Sequence, residues 1–178
     1  MNIKGKRVFL RAVEISDRDV LLSIINDENI ENGLGGWSFP VSELQQEDWI
    51  RSLKLNDKTL RCMIVSNADN QAVGTVILSD IDYKNGTAEI HIKIMDQGQG
   101  KGFGSESISL LARYAFNELR LNCIYAYVNS YNEASQTLFE KQGFIKDGDL
   151  RGRIFKRGQF HNVYSYSLLK GDLNGNRK

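Results

Sequence analysis

From Ser105 to Leu119 the apolar positions are Ile108, Leu111, Ala112, Ala115, Phe116 and Leu119, the spacing of one helix face. Three other stretches read as helices. Ser16 or Asp17 can cap a helix running to about Asn26, with Val20, Leu21, Ile24 and Ile25 inward. Ser42 opens S-E-L-Q, a capping box with Gln45 at the third helical position, ahead of Trp49, Ile50 and Leu53. Asn132 to Gln142 is a helix that Gly143 ends. Between the helices lie short apolar or alternating runs with turn residues at their ends, the mark of strands. These are Arg7 to Val13, Thr59 to Ser66, Gln71 to Asp80, Thr87 to Met95 and Cys123 to Val128, with two more from Phe144 onward joined at Arg157-Gly158. Asn85-Gly86 is a strong hairpin signal. The predicted order is β-α-α-β-β-β-α-β-α-β-β, a mixed α/β protein with one central sheet.

Composition narrows the function classes. The 178 residues are 41% hydrophobic and 25% charged, with net charge +1, the profile of an ordinary globular protein. No polybasic surface for nucleic acid or membrane is indicated, and a cluster at Arg151, Arg153, Lys156 and Arg157 reads as a solvated hairpin. Cys62 and Cys123 lie in apolar runs without metal-ligand spacing, so free thiols and no metal are expected. No leader or membrane span is expected, which makes the cytoplasm the default compartment.

Candidate chemistry enters at Asp96 to Ser107, DQGQGKGFGSES, where a strand passes through glycines into a helix. A dinucleotide fingerprint fails here because its third glycine would fall on Phe103, Ser105 or Ser107. A P-loop fails because Gly100-Lys101 is followed by Gly102. What remains is Q-x-x-G-x-G at Gln99, Gly102 and Gly104. Glycines let backbone approach a phosphate, and the first-turn N–H groups and dipole of the helix attract it. The segment AEIHIKIMDQGQGKGFGSESI resembles the acetyl-CoA-binding motif of the GNAT family of N-acetyltransferases. A second segment, Asn132 to Phe144, resembles that family's N-x-x-(A/S)-x-x-L-Y-E-K-x-G-F motif. The resemblance spans most of the chain and is nearest to the branch containing ribosomal-protein N-terminal and spermidine acetyltransferases.

The resemblance implies one domain over residues 1–170 with a polar tail at 171–178. Its fold is a mostly antiparallel twisted sheet flanked by about four helices, with a V-shaped splay between two central parallel strands. It implies acetyl-CoA as co-substrate and a primary amine as acceptor: a polyamine, amino sugar, antibiotic or protein N-terminus. The backbone at Ile92 and Ile94 is expected to pair with the pantetheine arm. Gln99, Gly100, Lys101, Gly102, Phe103, Gly104 and Ser105 are expected at the pyrophosphate, with Asn132, Ser135 and Phe139 along the arm.

Glu89 stands where relatives carry a general base, and it could also hold the substrate's charge. His91 shares its strand face and could take a proton near neutral pH, although a hydrogen-bonded structural histidine is the favoured reading. Many relatives place a proton-donating tyrosine at Phe139; Tyr131, Tyr127 or water would have to replace it here. Acceptor choice is expected from Glu31, Trp37 and Phe39 near the N-terminal helices, with Glu89 at the reacting end. A homodimer is the expected assembly. A second reading stays open beside the enzyme: an acyl-CoA-binding sensing or interaction module whose chemistry is lost, consistent with Phe139.

Overall fold

The computed structural model describes residues 1–34, 36 and 39–174. Eight strands form one sheet in the order β1-β2-β3-β4-β5-β6-β8-β7. They are β1 (Ile3–Lys4), β2 (Val8–Arg11), β3 (Leu60–Ser66), β4 (Ala72–Asp82), β5 (Thr87–Ile94), β6 (Cys123–Asn129), β7 (Ile145–Lys156) and β8 (Gln159–Leu169). The α-helices are α1 (Arg18–Ile25), α2 (Glu28–Gly33), α3 (Glu43–Ser52), α4 (Phe103–Asn117) and α5 (Glu133–Lys141). All strand pairs are antiparallel except β5 with β6, which are parallel.

Period-two alternation divides the central strands between two cores. Ala88, Ile90 and Ile124 face a large core closed by Ile108, Leu111, Ala112, Ala115 and Phe116 of α4. On the opposite face Leu21 of α1 and Ile50 of α3 cover Met63 and Val65 of β3. Glu89, His91 and Lys93 alternate with the isoleucines and so belong to that second face. Glu89 and His91 therefore lie on the side of α1 and α3.

Local chemistry explains most element ends. Ser42 and Gln45 form the expected capping box at α3. Asn132 caps α5 by accepting from Ser135 N–H at 3.1 Å, and Gly143 follows the helix at φ 88°. Arg157 and Gly158 both take positive φ, 48° and 85°, in the two-residue turn between β7 and β8.

Several expectations need correction. Two elements were not foreseen: β1, two residues long, and α2, whose sequence ENIENG has no apolar period. The described residues thus form five α-helices. Lys156 is not part of a solvated hairpin; it is 7% exposed and ion-paired with Glu31 of α2. Strand β4 runs two residues past Asp80 because a bulge lies between Ser79 and Asp82, with Asp80 at φ 49°. Of the expected tail, Asp172–Asn174 form a 3-10 turn and residues 175–178 lie outside the described residues. Cys62 is buried, Cys123 is half-buried, and both are free thiols.

Asp17 stands at the N-cap of α1, but its side chain makes no cap hydrogen bond there. Its buried carboxylate accepts both guanidinium nitrogens of Arg11 at 2.7 Å and the Glu14 N–H at 2.8 Å. Burial alone would raise the Asp17 pKa, but the Arg11 and Glu14 bonds outweigh it and hold the carboxyl below its ordinary range. Asp17→Asn should destabilise the fold by about 2–3 kcal/mol, since it leaves Arg11 without its counter-ion. A depressed carboxylate stabilises fully above its unfolded pKa and loses that contribution as pH falls through its folded value. Urea midpoints of wild type and Asp17→Asn should accordingly differ at pH 7 and converge below about pH 4.

Candidate active site

The parallel pairing of β5 with β6 lasts three rungs: Thr87 with Cys123, Ala88 with Ile124 and Glu89 with Tyr125. Beyond Glu89 the strands diverge. β5 stays paired with β4 as far as Ile94 against Gly74, and β6 stays paired with β8 as far as Asn129 against Val163. The edges that would have paired with each other therefore leave an open V. Unpaired strand edges present backbone donors and acceptors, the groups an extended amide-bearing ligand needs.

Two adjoining cavities, of about 320 and 470 Å³, fill this V. Ile92, Ile94, Gln99, Asn132, Ala134 and Ser135 line both. The inner one reaches His91, Tyr127 and Phe139; the outer one reaches Gly100, Gly102, Phe103, Gly104, Ser105 and Lys141. Of the expected cofactor residues, all but Lys101 thus line one connected cleft. Lys101 is exposed on the glycine turn.

The glycine turn suits an anion. Gly102 takes φ 78° and precedes α4, whose first intrahelical bond runs from Glu106 N–H to Gly102 O. The N–H groups of Phe103, Gly104 and Ser105 precede that bond and have no partner inside the helix. A Cβ on Gly102 would collide with the Arg7 guanidinium, and one on Gly104 would stand 3.4 Å from Leu138. Gln99 braces the turn, donating to Asp96 Oδ1 at 2.9 Å. Arg7 and Lys141 were not among the sequence candidates. Arg7 is far from the motif in sequence, and the Glu106 carboxylate brings it close by accepting from the N–H groups of Lys6 and Arg7.

At the vertex, Glu89 is half-buried, and its pKa is raised by desolvation and then by the Asp80 charge. The bulge in β4 is what holds Asp80 nearby. His91 Nε2 lies 3.6 Å from Glu89 Oε1 and 2.8 Å from Ser79 Oγ. Burial, followed by the charge of Lys93, lowers the His91 pKa, so the ring is neutral at pH 7. Glu89 and His91 together can accept or relay one proton at the end of the V.

The remaining candidates divide. Tyr131 donates its hydroxyl proton to Asn32 O at 2.7 Å and accepts from Asn129 at 3.0 Å, which fastens α2 to the end of β6. Its ring also packs on His161 at 4.6 Å. Tyr127, by contrast, lines the cleft. Phe139 is buried against Phe144 with ring centroids 5.0 Å apart, and lines the inner cavity. Glu31 is ion-paired with Lys156, and Glu28 with Arg157 at 3.3 Å. Phe39 is 70% exposed, and Trp37 lies outside the described residues. No group of three or more metal-ligating side chains occurs among the described residues, and no described helix is long and apolar enough to cross a membrane.

Comparison with known proteins agrees with this geometry. Residues 7–145 match the family model of the acetyltransferase (GNAT) domain. The chain is 31% identical over 169 residues to the SPbeta prophage-derived uncharacterized N-acetyltransferase YokL of Bacillus subtilis, covering 95% of this chain and 93% of that protein. It is 29% identical over 167 residues to a spermidine N(1)-acetyltransferase of Vibrio cholerae, covering 93% and 95%. The crystal structure of spermidine N-acetyltransferase from Vibrio cholerae in complex with CoA and spermine superposes with a TM-score of 0.87 at 26% identity, covering 94% of this chain and 98% of that one.

Proposed function

The chain belongs to the GNAT acetyltransferase family, and we propose that it is an acetyl-CoA-dependent N-acetyltransferase in which a primary amine attacks the thioester directly within a ternary complex. The observation that carries this reading is the V between β5 and β6, with a glycine-turned helix N-terminus along its outer cavity and a carboxylate of raised pKa at its vertex.

The co-substrate supplies an activated acetyl group, and the protein has three tasks around it. The turn at Gly102 and Gly104, the first N–H groups of α4 and the nearby cations Arg7 and Lys141 hold the pyrophosphate. The free edge of β5 at Ile92 and Ile94 aligns the arm, so that much of the rate comes from positioning. Glu89, directly or through water, takes the proton the amine must lose, with neutral His91 beside it as relay. Tyr131 spends its proton on Asn32 and Phe139 has none, so the departing thiolate is left to Tyr127, water and the N-terminus of α5, where Ala134 lines the cleft.

Thiol release from acetyl-CoA, measured against diamines, amino sugars, aminoglycosides, amino acids and N-terminal peptides, tests this reading. Release that depends on an amine and saturates with it is expected. Acetyl-CoA binding with no turnover on any amine would instead identify an acyl-CoA-binding module.

A further inference from the structure

On the face opposite α4, α1 and α3 stand off the sheet and enclose a separate cavity of about 450 Å³. This falls within the usual size range of small-molecule sites. Its walls are largely apolar, with Ile24, Ile77 and Trp49 among them. The exceptions that matter are Arg61 of β3 and Lys93 of β5. The strand register fixes their relation: Arg61 opposes Ile77, and Lys93 opposes Thr75, the next inward residue on β4. The two cations straddle β4 from either side.

Neither cation pairs with a carboxylate among the described residues. Arg61 instead stacks over the Trp49 ring, with its guanidinium carbon 5.1 Å from the centroid. Both have their pKa lowered by burial, and Lys93 further by the charge of Arg61. Two like charges withdrawn from water without a counter-ion are unfavourable unless something else compensates them. Lys93 also lines the cleft. It follows Glu89 by four residues on the same strand face, about 13 Å along β5. Lys93 is thus common to this cavity and to the inner cavity of the cleft.

We propose that the acceptor is a small amine carrying an anionic group, carboxylate or phosphate, which lodges between Arg61 and Lys93 while the amine reaches Glu89. This rests on the N-acetyltransferase reading and adds the substrate class. It also separates this chain from a polyamine enzyme. Glu28 and Glu31, the acidic residues of α2 that could have drawn a polycation, are paired with Arg157 and Lys156.

The test has a kinetic arm and a binding arm. The kinetic arm compares 4-aminobutyrate with putrescine, 5-aminovalerate with cadaverine, and aminoalkyl phosphates with aminoalcohols of equal length. The anionic member of each pair should show at least tenfold higher kcat/KM. The better anion in this series distinguishes carboxylate from phosphate. Lys93→Gln and Arg61→Gln should each raise KM for the anionic acceptor about tenfold, the effect of one lost charge-assisted hydrogen bond. Should Arg61→Gln unfold through loss of its Trp49 contact, Lys93→Gln and Arg61→Lys carry the comparison.

The binding arm uses calorimetry with glutarate and inorganic phosphate on wild type and Lys93→Gln, and needs no turnover. Binding of either anion that weakens in Lys93→Gln supports the site, even if no amine in the panel is acetylated. Diamines used as well as aminocarboxylates, or anion affinity and preference unmoved by Lys93→Gln, would overturn it while leaving acetyl transfer intact.

Discussion

Replacing Glu89 with Gln is expected to lower kcat/KM for amine acetylation by about a hundredfold, the lower range for a positioned proton acceptor. The pH profile should change as well. Burial and then Asp80 raise the Glu89 pKa, so the acidic limb of the wild-type profile should lie above the ordinary carboxylate range and vanish in Glu89→Gln. The effect on folding runs the other way. A carboxyl whose folded pKa is raised binds its proton more tightly in the native state, so its charged form costs stability above that pKa. Glu89→Gln should therefore melt no lower than wild type at pH 7.5, which separates lost chemistry from lost structure. An unchanged rate and pH profile would remove Glu89 as the base.

Gly102→Val should weaken acetyl-CoA binding by tenfold or more, read by calorimetry. Two independent effects act there. The φ of 78° is left-handed, and a β-branched residue in that region costs about 1–3 kcal/mol. The added side chain also meets the Arg7 guanidinium, the movable end of a long side chain, and so pushes that cation away from the N-terminus of α4. Gly100→Ala isolates the first effect. Gly100 has φ 71°, but a Cβ there meets nothing within 4 Å. It should cost about 1 kcal/mol of stability, and whatever affinity it loses is lost without the Arg7 contact. Equal affinities in Gly102→Val and wild type would show that the turn does not hold the co-substrate.

What the sequence made legible was local. The Ser42–Gln45 box, the Asn85-Gly86 and Arg157-Gly158 turns and the period of α4 are each decided by neighbouring residues, and all stand where their chemistry places them. The glycine spacing between β5 and α4 likewise pointed to the cleft lining. What was not legible depends on partners distant in sequence. Helix α2 is polar and short; Tyr131, Asn129 and Lys156 all donate to its backbone carbonyls from about a hundred or more residues away. Arg7 reaches the glycine turn because Glu106 binds the backbone there. Arg61 and Lys93 are unremarkable in their strands until the β3–β4–β5 register brings them to one cavity. Glu31, an expected acceptor contact, likewise shows its partner only in the fold, where Lys156 of the last hairpin pairs with it.

Direct transfer within one cleft can be checked in a single experiment. The protein is loaded with acetyl-labelled acetyl-CoA in the absence of acceptor, denatured and weighed by mass spectrometry; in parallel, the loaded complex is mixed with the best acceptor of the panel. An unmodified protein is expected in the first sample, and in the second one N-acetylated amine for each thiol released. Covalent acetyl label on the protein that chases into product, or thiol release without an acetylated amine, would contradict direct transfer.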